Sequence, residues 1–487
     1  MKRFRSLEYP MLAALAAVGT GAMVVEISGV SWSFPFASPT VARTWAGLTG
    51  ITLLVLTARP LWRGVGTRFA ARTVVFAYFT LLFLGVAAVE QLWLWKRAGW
   101  PIAAVAPLPA QPLVRHAFWL GLVAGVMLGL GALSTAYRRL PPKDAPQKEW
   151  ADLLPGATIL VGIGLMGSLV VVAKTHTLAL FTRNVNATRF DQNTGVGYAS
   201  LLEYELLAAV CVAGAVLVHG GRSRGYALFL TVLGLGTLVV VRAERTPIIF
   251  AVIAIGFAYV LQGRRFHRLT VASGATVLVV GALALGVERL SSTGSKVTSR
   301  GAVVHAAYDV SPEFREQAWV YFIYPSQTPR LEGHAVAADL SSLVPSRALG
   351  VLGVDKRAVY GDISHTYSQT MSRLQHYPPG VAPLRVGIAG EMWADFGWDG
   401  LLAGLFVLGC VAGVVSRIQT GTPLGTVRKS VATTSLLFGL ITPLGALLPL
   451  VMMLALPVWL LGGVTLARDV VPAALEHGDA VSQIGRA

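Results

Sequence analysis

The stretch "VVVRAERTPIIF", Val239–Phe250, decides how this chain is read. Its flanks are oily enough for a bilayer, yet Arg242, Glu244 and Arg245 interrupt them within four positions. A charge at membrane depth is costly unless it is paired or hydrated. One reading is a tight turn at the membrane surface whose arginines snorkel to headgroups. The other is a site lining, with Glu244 holding one arginine and the second left for an anionic ligand. The side of the membrane on which the break lies bears on the choice.

The composition points to an integral membrane protein. Apolar residues make up 54% of the chain and charged residues only 13%. Apolar runs near ~20 residues recur, which is the length a helix needs to cross the hydrocarbon core. They fall near 9–27, 41–57, 73–94, 116–136, 156–173, 198–218, 226–241, 247–261, 269–287, 397–415, 430–446 and 449–466. The expected fold is therefore an all-α polytopic membrane protein of about twelve transmembrane helices. The first run reads as a signal anchor that stays as the first span. The formal net charge of +16 would suggest nucleic acid in a soluble chain. Here basic residues collecting on cytoplasmic loops explain it, and no nucleic-acid partner is expected. Cys211 and Cys410 fall in spans as small packers, without zinc or CxxC spacing.

Charge then sets the orientation. With Lys2, Arg3 and Arg5 in the cytoplasm, alternate segments carry Arg59, Arg63, Arg68 and Arg72, then Arg138, Arg139, Lys143 and Lys148, then Arg222 and Arg224. Arg264, Arg265 and Arg268 follow, then Arg417, Arg428 and Lys429, then Arg468. The opposite loops near 28–40 and 444–449 carry no Lys or Arg. Both termini are thus expected inside, and Arg242–Arg245 at the outer mouth. The domain reading is 1–287 for spans one to nine, 288–396 for a large extracytoplasmic helical cap, 397–467 for three spans, and 468–487 for a cytoplasmic tail. "SPEFREQAW" carries a helix start, with Ser311 as N-cap and Pro312 at the first helical position.

The outer segments hold many arginines, among them Arg289, Arg300, Arg330, Arg347 and Arg385. The positive-inside rule does not explain these, while a planar guanidinium suits phosphate or pyrophosphate. An ordinary soluble cap would also carry charge. In "RVGIAGEMWADFGWDG", Arg385–Gly400, Glu391 and Asp395 stand four residues apart, on one face of a helix entering the membrane. One could be a general base for a sugar hydroxyl; both could equally cap and hydrate a helix start. Trp393 and Trp398 suit an interfacial aromatic belt. His305, His365 in "DISHTYSQ" and His376 are further candidates, each more often a plain loop histidine. "GIGLMG", Gly162–Gly167, lies inside a span with no preceding strand, so its small residues read as helix contacts.

Two stretches carry a resemblance. "RTPIIFAVIAIGFAYVLQGRR", and "LVPSRALGVLGVDK" followed by "GEMWADFGWDGLLAGLFVLG", resemble the Wzy-type oligosaccharide repeat-unit (O-antigen) polymerases over roughly residues 240–415. On this match Arg245, Arg347, Lys356, Glu391, Phe396, Gly397 and Gly400 carry over. Ser346 separating Pro345 from Arg347, and the lack of a proline after Lys356, depart from the pattern. The resemblance implies a fold like the C-type glycosyltransferases, in the cytoplasmic (inner) membrane of a bacterium. It implies an enzyme that joins undecaprenyl-pyrophosphate-linked oligosaccharide units on the outer face, with no metal and no cofactor. Arginines then neutralise the leaving pyrophosphate. The expected site has Glu391 or His365 as base and Arg245 as catalytic cation. Arg242, Arg289, Arg300, Arg347, Lys356, Arg385 and Asp395 contact substrate. The expected partners are the polyprenyl-linked oligosaccharide, membrane lipids, and a chain-length regulator or a flippase. An O-antigen-type ligase shares this architecture and differs in acceptor. A transporter or flippase for a lipid-linked or anionic solute is the alternative from another class; it predicts midplane charges and paired half-helices.

Overall fold

The computed structural model describes residues 69–97, 111–136, 149–181, 199–242, 246–264, 312–342, 387–442 and 451–461, with a few isolated positions between them. Among the described residues all regular structure is helical. In chain order the main elements are α1 (Phe69–Arg97), α2 (Gln111–Ala136), α3 (Leu154–Thr175), α4 (Tyr204–His219), α5 (Arg224–Arg242) and α6 (Thr246–Leu261). They continue as α7 (Pro312–Ser326), α8 (His334–Ser342), α9 (Gly387–Phe396), α10 (Trp398–Ser416) and α11 (Pro423–Gly439). A π-turn at Val451–Ala455 leads into a last apolar helical stretch.

Four helical stretches among the described residues are long and apolar enough to cross a membrane: His116–Ala136, Trp150–Thr175, Arg224–Arg242 and Trp398–Ser416. Each coincides with an expected span. The shorter apolar helices Phe69–Leu82, Tyr204–His219, Pro247–Leu261 and Val451–Leu461 answer to four more. The spans expected at 9–27, 41–57 and 269–287 lie outside the described residues. Apolar side chains face outward along these helices: Met166 is 60% and Leu169 62% exposed on α3, and Val252 is 63% exposed on α6. Such surface suits contact with lipid rather than water.

Two expected boundaries are corrected. The span read at 198–218 is interrupted at Glu203, where the chain tightens between Ala199–Leu202 and α4 through a Leu206 N–H to Glu203 carbonyl bond of 3.0 Å. The span read at 430–446 starts earlier, at Pro423, and ends at Gly439, ahead of Pro443. Hydropathy missed the start because the first turns carry Thr426, Arg428 and Lys429; Thr426, Lys429, Ser430, Thr433, Thr434 and Ser435 are nevertheless all buried. The hydroxyls of Thr426, Thr433, Thr434 and Ser435 donate to carbonyls four residues back, so their burial leaves no donor unmade.

The described helices group into two compact units. The first holds α1, α2, α7, α8, α9 and α10. α1 and α2 run antiparallel, with Leu82 against Gly121 and Phe79 against Gly125. α2 and α10 run parallel and nearly touch backbone to backbone. A β-carbon at Gly131 would fall 2.0 Å from the Phe406 carbonyl oxygen, and one at Gly409 would fall 2.1 Å from that of Leu128. Small residues make this approach possible, as in membrane helix pairs. Arg417 Nε closes the seam by donating to Thr135 O at 2.5 Å, near the end of α2.

The second unit holds α3 to α6 and the Val451–Leu461 stretch. α4 is its centre: Glu205 through Val216 are all buried, as expected of a helix that is apolar all round. α5 crosses it antiparallel, with Gly234 against Val210. α6 runs parallel to it, with Ile255 against Gly214. Gly164 of "GIGLMG" meets Leu206 closely, while Gly162 faces open space, so one glycine of that motif serves helix packing. Arg264 donates to the Val218 and His219 carbonyls at 2.8 and 2.5 Å. Its charge thereby meets the carbonyls left unmade at the end of α4.

Candidate functional site

In the first unit the site is built where α9 meets α10. Gly397 separates them at φ +63°, ψ −132°, a backbone geometry that essentially only glycine adopts. The chain doubles back there. A β-carbon at Gly400 would fall 2.4 Å from the Met392 carbonyl oxygen, and one at Gly404 would fall 2.6 Å from Met392 Cγ. α9 therefore lies alongside the first two turns of α10, the helix of the span read at 397–415. Gly387 through Asp395 are all buried on α9.

α7 packs against α9, α1 and α2. It begins at Pro312 as the sequence predicted, and helical geometry stops at Tyr324, which is extended ahead of Pro325. The Tyr324 carbonyl accepts the Trp393 indole N–H at 2.8 Å. Trp393 sits edge-on between Tyr321, at 5.4 Å, and Trp398, at 5.5 Å. At 4% exposure it is a core residue, which corrects its expected place in an interfacial belt. Tyr321 is buried, and desolvation, with a smaller contribution from Tyr78, holds its phenol well above the ordinary range, so it stays neutral. A cleft nearby is lined by Tyr78, Leu81, Leu82, Phe314, Gln317, Leu440 and Ile441.

The two acids of α9 have different jobs. Glu391 is 1% exposed, and its Oε2 accepts the Leu444 N–H at 2.6 Å. Asp395 is equally buried, and its carboxylate accepts the N–H groups of Ala335 (3.1 Å) and Val336 (2.8 Å). Those are first-turn amides of α8, so Asp395 caps a neighbouring helix with a full negative charge at its positive end. Its backbone joins the same strap: Leu331 N–H donates to Ala394 O and Glu332 N–H to Asp395 O. Asp395→Ala is expected to destabilise the protein by about 1 kcal/mol. A lowered unfolding midpoint in detergent with unchanged activity per folded molecule checks this; lost activity at an unchanged midpoint would refute it.

No protein-family model, curated protein or solved structure matches this chain. Its site is therefore read from its own residues.

Of the residues singled out in the sequence, Glu391 and Asp395 share α9. Arg242 belongs to the second unit, at the end of α5, 5% exposed. Its Nε donates to Glu203 Oε2 at 2.5 Å, and both side chains are buried. The expectation that Glu244 holds an arginine falls on Ala243–Arg245, outside the described residues; for Arg242 the carboxylate in place is Glu203. Arg245, Arg289, Arg300, Arg347, Lys356, Arg385 and His365 also lie outside the described residues. Sequence reading did not assign Glu203 as a partner, although it lies at the end of its helix that meets the end of α5. In the helix that "SPEFREQAW" begins, Arg315 and Glu316 are each 1% exposed within α7. Nothing in the local pattern marks that segment as buried.

Proposed function

We propose that this chain is a multi-pass protein of a bacterial cytoplasmic membrane, with about twelve spans and both termini inside. On this reading it polymerises polyprenyl-pyrophosphate-linked oligosaccharide units on the outer face. The observation that carries the reading is the buried carboxylate of Glu391 on a helix folded back beside the Gly397 end of a span-length helix. The helix directions add support. The charge pattern requires α1 antiparallel to α2, α2 parallel to α10, and α4 antiparallel to α5 but parallel to α6, and these are the directions found. Arg264 and Arg417 stand at helix ends that the same pattern assigns to the cytoplasm.

In the proposed reaction Glu391 takes the proton of an acceptor sugar hydroxyl. That oxygen bonds to the anomeric carbon of the donor chain as the carbon–oxygen bond to the pyrophosphate breaks. Polyprenyl pyrophosphate leaves with the bonding pair, its charge met by Arg289, Arg300 or Arg347. Arg242, held by Glu203, fixes the end of α5. Asp395 holds the first turn of α8.

The broken α9–α10 pair is also a feature of transporters, whose binding sites use discontinuous helices. Product analysis separates the readings. The wild-type gene, returned to a host lacking its own copy, is expected to restore a ladder of repeat units. Single-unit transfer would mean a ligase-type enzyme, and solute or lipid translocation without new glycosidic bonds would mean a transporter.

A further inference from the structure

Arg330 has no assigned role in the proposed reaction, yet it is an exposed cation held against α9. Its guanidinium carbon lies 5.8 Å from the centre of the Trp393 ring. A β-carbon at Gly397 would fall 2.2 Å from that same carbon, so the group rests against bare glycine backbone. The next two residues are pinned by their N–H bonds to the Ala394 and Asp395 carbonyls at 3.0 and 3.1 Å. Trp393 is itself pinned by its bond to Tyr324 O. The guanidinium thus lies over an indole ring on one side and against glycine backbone on another, which lowers the entropy lost when it grips a ligand.

Its donors are nevertheless available. Arg330 is exposed and forms no hydrogen bond or ion pair with a described residue. The acids nearest it in the chain and across the break, Glu332 and Asp399, are exposed and do not pair with it. Gly397 immediately precedes Trp398, where a helix long enough to cross a membrane begins. A planar fork placed at that level matches the oxygens of a phosphate ester whose chain lies in the bilayer.

We propose that Arg330, seated on Trp393 and Gly397, binds the phosphate ester of a membrane lipid. The inference rests on the membrane reading of α10, and deepens the proposed function by giving a lipid diphosphate a further contact. The shared chemistry is an anionic phosphate on a lipid chain; a polyprenyl diphosphate and an anionic phospholipid are its two sources.

The test uses the full chain in nanodiscs of zwitterionic phosphatidylcholine and measures binding of radiolabelled farnesyl diphosphate. Arg330→Ala is expected to raise Kd about tenfold or more, and Arg330→Lys by less, since it keeps the charge and loses the fork. Adding phosphatidylglycerol distinguishes the sources: no competition identifies a diphosphate carrier, and competition identifies a general headgroup site. Either supports the proposal. An unchanged Kd in Arg330→Ala, or no saturable binding by the wild type, overturns it. The two readings separate cleanly. Wild-type ladders with unchanged Arg330→Ala binding sink this inference alone; lost Arg330→Ala binding with no ladder from the wild type sinks the polymerase reading alone.

Discussion

Arg242→Met is expected to destabilise the protein by about 3–5 kcal/mol, because it removes one partner of a buried ion pair. Arg242 and Glu203 are 6% and 2% exposed at their side chains, and Nε meets Oε2 at 2.5 Å. Taking out the guanidinium leaves a carboxylate in a low-dielectric setting without that counter-charge. The effect should appear as poor accumulation in the membrane and a strongly lowered unfolding midpoint in detergent. Glu203→Gln combined with Arg242→Met should recover most of the loss, because no charge then stays behind. Such recovery distinguishes an uncompensated charge from lost packing. A single variant that unfolds with the wild type would show that this pair contributes nothing.

The second large effect is on activity. Glu391→Gln keeps the side chain's shape and an oxygen that can still accept the Leu444 N–H. Stability should therefore change by only about 1 kcal/mol. The amide cannot take a proton, so polymer formation should fall by about 10²–10⁴-fold. The measurement is the yield of repeat-unit ladder per unit of membrane-inserted protein. Ladders at the wild-type level from a normally abundant Glu391→Gln protein would remove Glu391 from the chemistry. The contrast with Asp395 sharpens the test: one acid should cost activity at little loss of stability, and the other stability at little loss of activity.

The charge-broken stretch at Val239–Phe250 shows what local reading reaches and where it stops. Apolar length placed the end of α5 and the start of α6 within a few residues, since each helix satisfies its own backbone hydrogen bonds. The start of α7 at Pro312 was legible for the same kind of reason: proline fits a first turn whose N–H has no partner. The reversal at Gly397, where the span read at 397–415 begins, was not legible. Glycines are frequent in this chain, and only the contact of Met392 with Gly400 and Gly404 distinguishes Gly397 as a reversal. Likewise α11 has the hydropathy of a loop edge, and its burial depends on hydroxyls that bond back into their own helix.

By itself the sequence determined that the chain is helical and apolar, where several helices lie, and which of their ends carry positive charge. Those properties follow from hydrophobic length and from charge, both of which act over a single segment. Tertiary structure alone decided that Glu203 answers Arg242, that Asp395 caps α8, and that Arg330 is seated on Trp393. Each pairing joins residues from separate helices or loops, brought together by close backbone packing that no segment specifies on its own.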